Sequence, residues 1–109
     1  MRSFGIAVAL PVLAATPALA ADAAKGQDLF DHVGCWECHG FKGQGGVGPK
    51  LAPGPVAEGA FKSFVRTTSG DMPAFTAKVL SDADLDDIYA YLQSIPPSPD
   101  PKTIPLLQQ

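Results

Sequence analysis

Apolar and polar positions along the chain repeat with the period of a helix in three stretches, and no stretch convincingly shows the alternation of a strand. The first covers residues 23 to 32. Gly26, Phe30 and Val33 recur at i, i+4 and i+7 with Leu29 beside them, and Asp28 and Asp31 fall on the other side. Gly34 is a natural stop. The second, shorter, covers residues 56 to 67, where Ala60, Phe61, Phe64 and Val65 make an apolar stripe with Lys62 and Arg66 on the wet side. The third opens at Ser81 in "SDAD", an N-cap with Asp84 three positions on, which resembles a capping box. Asp82 and Asp84 also suit the positive end of the helix dipole. Leu85, Ile88, Tyr89 and Leu92 then repeat at i, i+3, i+4 and i+7, and Pro96-Pro97 ends the pattern.

Between these stretches lie loops. Residues 40 to 48 hold five of the eleven glycines. A phosphate-cradling loop is excluded there, because "GQGGVGPK" lacks the Gly-Lys-Ser/Thr ending and follows no strand. A flexible loop that approaches something closely fits better. The end of the chain, "PPSPDPKTIPLLQQ", has four prolines in its first six residues, which predicts an extended polyproline-like tail over 97–109. The chain has no internal repeats.

The first twenty residues read differently from the rest. Arg2 gives a positive start, residues 4 to 15 are apolar apart from Pro11, and Ala18-Leu19-Ala20 is a small-x-small cleavage site. This is the grammar of a signal peptide. An uncleaved membrane anchor fits less well, since Pro11, Thr16 and Pro17 interrupt a run barely long enough to span a bilayer. Cleavage after Ala20 would leave 89 of the 109 residues, one small domain. That mature chain carries seven Lys+Arg against eleven Asp+Glu, a net charge of −4, which argues against nucleic acid. So small a chain, rich in Gly and Pro, struggles to build a sufficient core unaided, and domains of this size often lean on a staple.

Both cysteines lie in "GCWECHG", residues 34 to 40. A disulfide between Cys35 and Cys38 would close a tiny loop and constrain little of the unfolded chain. A thioredoxin-like redox pair calls for a βαβ setting that three helical patterns do not offer. Zinc is a stronger rival, because His32, Cys35, Cys38 and His39 supply four ligands in eight residues. Zinc spacings, however, separate the second ligand pair so that the chain can fold around the ion, and here Cys38 and His39 are adjacent. The remaining chemistry is covalent haem attachment through Cys-x-x-Cys-His. Two thiols three residues apart lie on one turn and match the two vinyl groups on a porphyrin edge, and the following histidine is directed at the iron. A second axial ligand is then required. Met72, in "GDMPAF", is the sole methionine left after signal removal, and it lies in a turn between Gly70 and Pro73 rather than on a helical stripe. A lone methionine is ordinarily a gap-filler, but with the upstream motif an axial thioether is the better assignment. His32 precedes Cys35 by only three residues and belongs on the cysteine side of a macrocycle.

With these motifs in hand, the chain resembles a bacterial class I (monohaem) cytochrome c. "AAKGQDLFDHVGCWECHG" is similar to the family's first helix running into its attachment motif, "GVGPKL" to its Gly-Pro-x-Leu loop, "DMPAF" to its axial-methionine loop, and "LSDADLDDIYAYLQSIP" to its last helix. The resemblance covers residues 23 to 96. It implies an all-α fold of three main helices and loops wrapped around one covalently attached haem, with the cytochrome c domain over 21–96. It implies that Pro49 offers its carbonyl to the ring N–H of His39, and that Gly26 and Phe30 meet Ile88 and Tyr91 where the first and last helices cross. Phe30, Phe61, Phe64, Val65, Phe75, Leu85 and Leu92 would pack around the haem. Trp36 lies against the haem rim or stands half-exposed between the thioethers; both readings stand.

The expected function is that of a periplasmic one-electron carrier, not an enzyme, with haem c and iron held by Cys35, Cys38, His39 and Met72. Met/His ligation leaves no position open for a substrate and favours the ferrous form. Its partners would be redox proteins: a periplasmic dehydrogenase, a cytochrome complex or a terminal oxidase. No nucleic acid and no stable membrane insertion after cleavage are expected. Lys42, Lys50 and Lys78 fall near the loops that should frame a haem edge, where they steer partners or are simply solvated. One rival is a dedicated cytochrome subunit of a periplasmic dehydrogenase or hydroxylase, motivated by the apolar "IPLL" at 104–107, which docks on a partner or folds back on its own surface. The other is a gas-sensing or peroxidase haem protein with an open iron site, which requires that Met72 does not bind.

Overall fold

Asp22 begins the fold. In the computed structural model, which describes residue 1, residues 19–54 and residues 56–108, its carboxylate accepts hydrogen bonds from the backbone N–H groups of Ala24 (2.9 Å) and Lys25 (3.2 Å) and so caps α1, Ala23–His32. The residues of the expected signal peptide lie almost entirely outside the described residues. Three further α-helices follow: α2 (Cys35–His39), α3 (Glu58–Thr67) and α4 (Asp82–Ser94). Among the described residues there is no strand, and no helix is long and apolar enough to cross a membrane.

The α4 start is built as its sequence implies. The Ser81 hydroxyl accepts from the N–H of Asp84 (3.1 Å), and the Asp84 carboxylate accepts from the N–H of Ser81 (2.9 Å), so two of the orphan donors at the helix entry are satisfied reciprocally. α1 and α4 cross in the principal helix contact, α2 packs on α1, and α3 packs on α4. At the crossing the Phe30 and Tyr91 rings meet at 5.6 Å between centroids and tilt 59° to each other, a favourable aromatic arrangement. The core is Phe30, Leu80, Leu85, Ile88, Tyr91 and Leu92, with Val65 and Ala52. Full burial of each large apolar side chain contributes roughly 1.5–3 kcal/mol.

One polar group is buried beside that crossing. The Asp87 carboxylate accepts from the N–H of Asp22 (2.7 Å) and from Lys25 Nζ (2.9 Å), and Lys25 also reaches Asp84 (2.8 Å). These bonds tie the start of α1 to the first two turns of α4 and satisfy a carboxylate that would otherwise be costly to bury.

Several expectations need correction. Among the described residues the cysteine motif forms a turn of helix of its own beside the three expected main helices. α3 begins at Glu58 instead of Val56, where an acidic first-turn residue meets the helix dipole. Along α3, Val65 is buried and Phe61 half-buried against the core. Its cations are not on the wet side, since Lys62 bonds Asp86 and Arg66 bonds Asp82, so both face α4. On α4, Tyr91 rather than Tyr89 is the buried tyrosine. The tail is not continuously extended, because Pro101–Thr103 and Pro105–Leu107 each close a 3₁₀ turn. These two turns touch each other and no helix, and Leu106 and Leu107 remain exposed, so the apolar end does not fold back on the helices.

Candidate functional site

Two glycines frame the cysteine motif. Gly34 (φ +80°) turns the chain out of α1, and Gly40 (φ +81°) takes it out of α2, both in backbone conformations that side chains disfavour. The single turn between them puts Cys35 and Cys38 at i and i+3, on one face. The thiols are not joined. Cys35 is half-buried, and that burial, with the Asp31 charge adding to it, pushes its thiol up to about 11. A redox-active Cys-x-x-Cys has its reactive thiol depressed, the opposite of the direction at Cys35.

His39 closes the turn and is buried. Its Nδ1 lies 2.8 Å from the Pro49 carbonyl oxygen. A carbonyl only accepts, so Nδ1 carries the proton and Nε2 is left with its lone pair, the tautomer that ligates a metal. The glycine-rich loop is moulded around this ring. Gly48 N–H donates to the Cys38 carbonyl (2.8 Å) and Gly45 N–H to the His39 carbonyl (2.8 Å). A Cβ on Gly48 would sit 2.9 Å from His39 Nδ1 and 3.0 Å from Cε1, so only glycine lets the loop lie flat on the imidazole. α4 holds the same loop from outside: Tyr91 O–H donates to the Phe41 carbonyl (3.3 Å), Gln93 to that of Gly54 (3.2 Å), and Tyr89 O–H to that of Val56 (2.9 Å).

Met72 lies in the loop between α3 and α4, half-buried against the same core that Cys35, Trp36 and Leu51 border. The zinc grouping does not form. Among the described residues no three His, Cys, Asp or Glu side chains gather as a metal site, and the exposed His32 spends its Nδ1 on the Asp28 carbonyl of its own helix (3.2 Å). Trp36 is half-exposed and stacks on Phe41 (4.7 Å, 10°), and its indole N–H donates to the Asp31 carbonyl (3.1 Å). The motif reading did not anticipate Phe41, Gly48 or Arg66. Gly48 was legible only as one glycine among five, and no periodicity marks a residue that acts across a loop.

An all-α fold that carries Cys-x-x-Cys-His on one turn, cradles the histidine with Nε2 free and sets a lone methionine against the same core is that of a small class I cytochrome c. The chain belongs to the family described as cytochrome c oxidase, cbb3-type, subunit III, which it matches over residues 21–92. It is 39% identical over 72 residues to the 4-cresol dehydrogenase [hydroxylating] cytochrome c subunit of Pseudomonas putida, covering 66% of this chain and 61% of that protein. It is 37% identical over 83 residues to a cytochrome bc1 complex cytochrome c subunit of Corynebacterium diphtheriae, covering 72% of this chain and 29% of that one. A cbb3-type cytochrome c oxidase subunit CcoP of Helicobacter pylori is 29% identical over 84 residues, covering 70% and 29%. The chain thus spans about three fifths of the first of these relatives and under a third of the other two. No solved structure matches it significantly.

Proposed function

We propose that the chain holds one haem, bonded through thioethers at Cys35 and Cys38 and ligated by His39 Nε2 and the Met72 sulfur, and that it carries single electrons between redox proteins in the periplasm. The observation that carries this reading is the His39–Pro49 hydrogen bond inside the glycine cradle, one residue from a Cys-x-x-Cys turn. The residues fit the group: two thiols on one face of a helical turn, an imidazole in the ligating tautomer, and a soft thioether on the same core.

Bound haem supplies a one-electron ferric/ferrous couple whose ferrous side is favoured by a methionine ligand. The chain supplies orientation. The Pro49 carbonyl fixes the plane and tautomer of the imidazole. Gly45 and Gly48 bond the loop back onto the His39 and Cys38 carbonyls, and Gly48 lets it lie close against the ring. Phe41, Val47 and the lysines Lys42 and Lys50 are exposed on the loop that carries Pro49, which suits a mixed apolar and cationic contact with a donor or acceptor. An electron passes in from one partner and out to another, and no bond in the chain is made or broken.

The first test is spectroscopic. Ferric protein should show the weak far-red band of sulfur–iron ligation, lose it in Met72→Ala, and bind no carbon monoxide when reduced. Ready carbon monoxide binding by the unmodified protein would favour the open-site alternative. A second reading, a dedicated cytochrome subunit of a dehydrogenase, is favoured by the 39% identity to a relative of that name and by the exposed Leu106 and Leu107 on a tail that packs on no helix. Co-purification with and without residues 97–109 separates it from a free shuttle.

A further inference from the structure

The loop that presents Met72 packs on the core through Met72 and Phe75 but has few hydrogen bonds of its own. Among the described residues, no backbone or side-chain group from Ser69 to Ala74 takes part in a hydrogen bond. The loop's hydrogen bonds to described residues lie at its ends, and both sets are on the last two turns of α3. At the near end Thr68 N–H donates to the Phe64 carbonyl (2.8 Å) and caps the helix. At the far end Phe75 is gripped twice: its N–H donates to the Val65 carbonyl (3.0 Å), and its carbonyl accepts from Arg66 Nη1 (2.9 Å). The guanidinium's other nitrogen, Nη2, donates to Asp82 Oδ1 (2.8 Å) at the start of α4. Arg66 therefore spans the last turn of α3, the end of the methionine loop and the first turn of α4, and it was placed on the wet face by its sequence pattern.

We propose that Arg66 is a positioning residue for Met72: its bond to the Phe75 carbonyl holds the loop closed and keeps the thioether in place. The proposal rests on the reading that Met72 ligates the iron. Two features favour the Phe75 bond over the Asp82 pair as the effective contact. The Asp82 side chain is 81% exposed, where an ion pair is worth little, whereas the Arg66 side chain is only 21% exposed and its bond to Phe75 is partly buried. A planar fork with two donors also reaches two acceptors at once, which an ammonium does not. Met72 and Phe75 are three residues apart, so slack at Phe75 is transmitted directly to the ligand loop.

Exogenous imidazole reports loop opening, because it binds ferric haem only where the methionine sulfur has left. A charge-assisted hydrogen bond is worth enough to change such an opening equilibrium roughly tenfold. Titration of the ferric holoprotein with imidazole, followed by loss of the far-red band, should give an apparent affinity about tenfold higher in Arg66→Met than in the unmodified protein, with Asp82→Asn changing it less than about twofold. Arg66→Lys should move in the same direction as Arg66→Met, and it stands in where that variant does not accumulate as folded holoprotein. Unchanged imidazole affinity in Arg66→Met or Arg66→Lys, alongside a normal far-red band in the unmodified protein, overturns the clamp and leaves methionine ligation intact. An equal rise in Asp82→Asn transfers the role to the ion pair and likewise overturns it. Absence of the band from the unmodified protein overturns methionine ligation itself, and the clamp with it. A loss of thermal stability without a change in imidazole affinity identifies Arg66 as structural only.

Discussion

Gly26 of α1 lies directly against the backbone of Asp87 on α4: a Cβ at position 26 would stand 1.9 Å from the Asp87 carbonyl oxygen and 2.9 Å from the Ile88 nitrogen. Helix propensity alone would favour alanine at a mid-helix glycine by about 1 kcal/mol. Here the sign reverses, since the neighbour is backbone and the helices must part. Gly26→Ala should destabilise the protein by roughly 1–3 kcal/mol or more, read as a lowered midpoint in thermal or denaturant unfolding. An unchanged midpoint would mean the crossing is looser than described.

The carboxylates around Lys25 predict a particular acid response. Hydrogen bonds from Lys25 and Ser81 hold Asp84 down to about 2, from an ordinary 3.8. The Asp22 N–H, with Lys25, lowers Asp87, and Arg66 lowers Asp82. A depressed folded-state value means that the unfolded chain takes up protons first. The stability these groups contribute is therefore fully present above their ordinary value of 3.8 and is lost as pH falls toward about 2. Stability measured by far-ultraviolet circular dichroism should fall across that window. Lys25→Met should fall less steeply across it, having already lost part of the effect at neutral pH. Identical slopes for the two proteins would remove Lys25 from the account.

The α1 and α4 stretches were legible in the sequence because each has an unbroken apolar stripe and α4 a capping box, and the thiol pair and His39 because their spacing carries chemistry. On α3 the cations were the illegible part, because Lys62 and Arg66 pack toward α4 through ion pairs. A hydropathy pattern counts such cations as solvent-facing. The role of Gly48 depends on a loop folding back ten residues to the helix it follows, and the Lys25–Asp87 bond on partners 62 residues apart. No local periodicity encodes either.

Gly48→Ala tests the cradle. The added methyl must displace the His39 ring or the Cys38 carbonyl, which it would approach at 3.1 Å. Overpacking of this kind costs about 1–3 kcal/mol. The holoprotein should unfold at lower temperature, and it should resist carbon monoxide as before if Met72 stays in place. Undiminished thermal stability would show that the loop has room to spare.

The tail predicts a contrast between stability and partnership. Since Pro101–Thr103 and Pro105–Leu107 contact no helix, ending the chain after Pro99 should change domain stability by no more than about 0.5 kcal/mol. Any loss should appear instead in association with a redox partner. A substantially lowered unfolding midpoint would mean that the tail belongs to the domain.

Intact-mass spectrometry of protein matured with haem-attachment machinery, after extraction with acidified organic solvent to strip unbonded haem, bears on the central claim most directly. The polypeptide should retain the mass of one haem, and the Cys35→Ala/Cys38→Ala variant should retain none. A bare polypeptide mass from the unmodified protein would contradict covalent attachment at these two thiols.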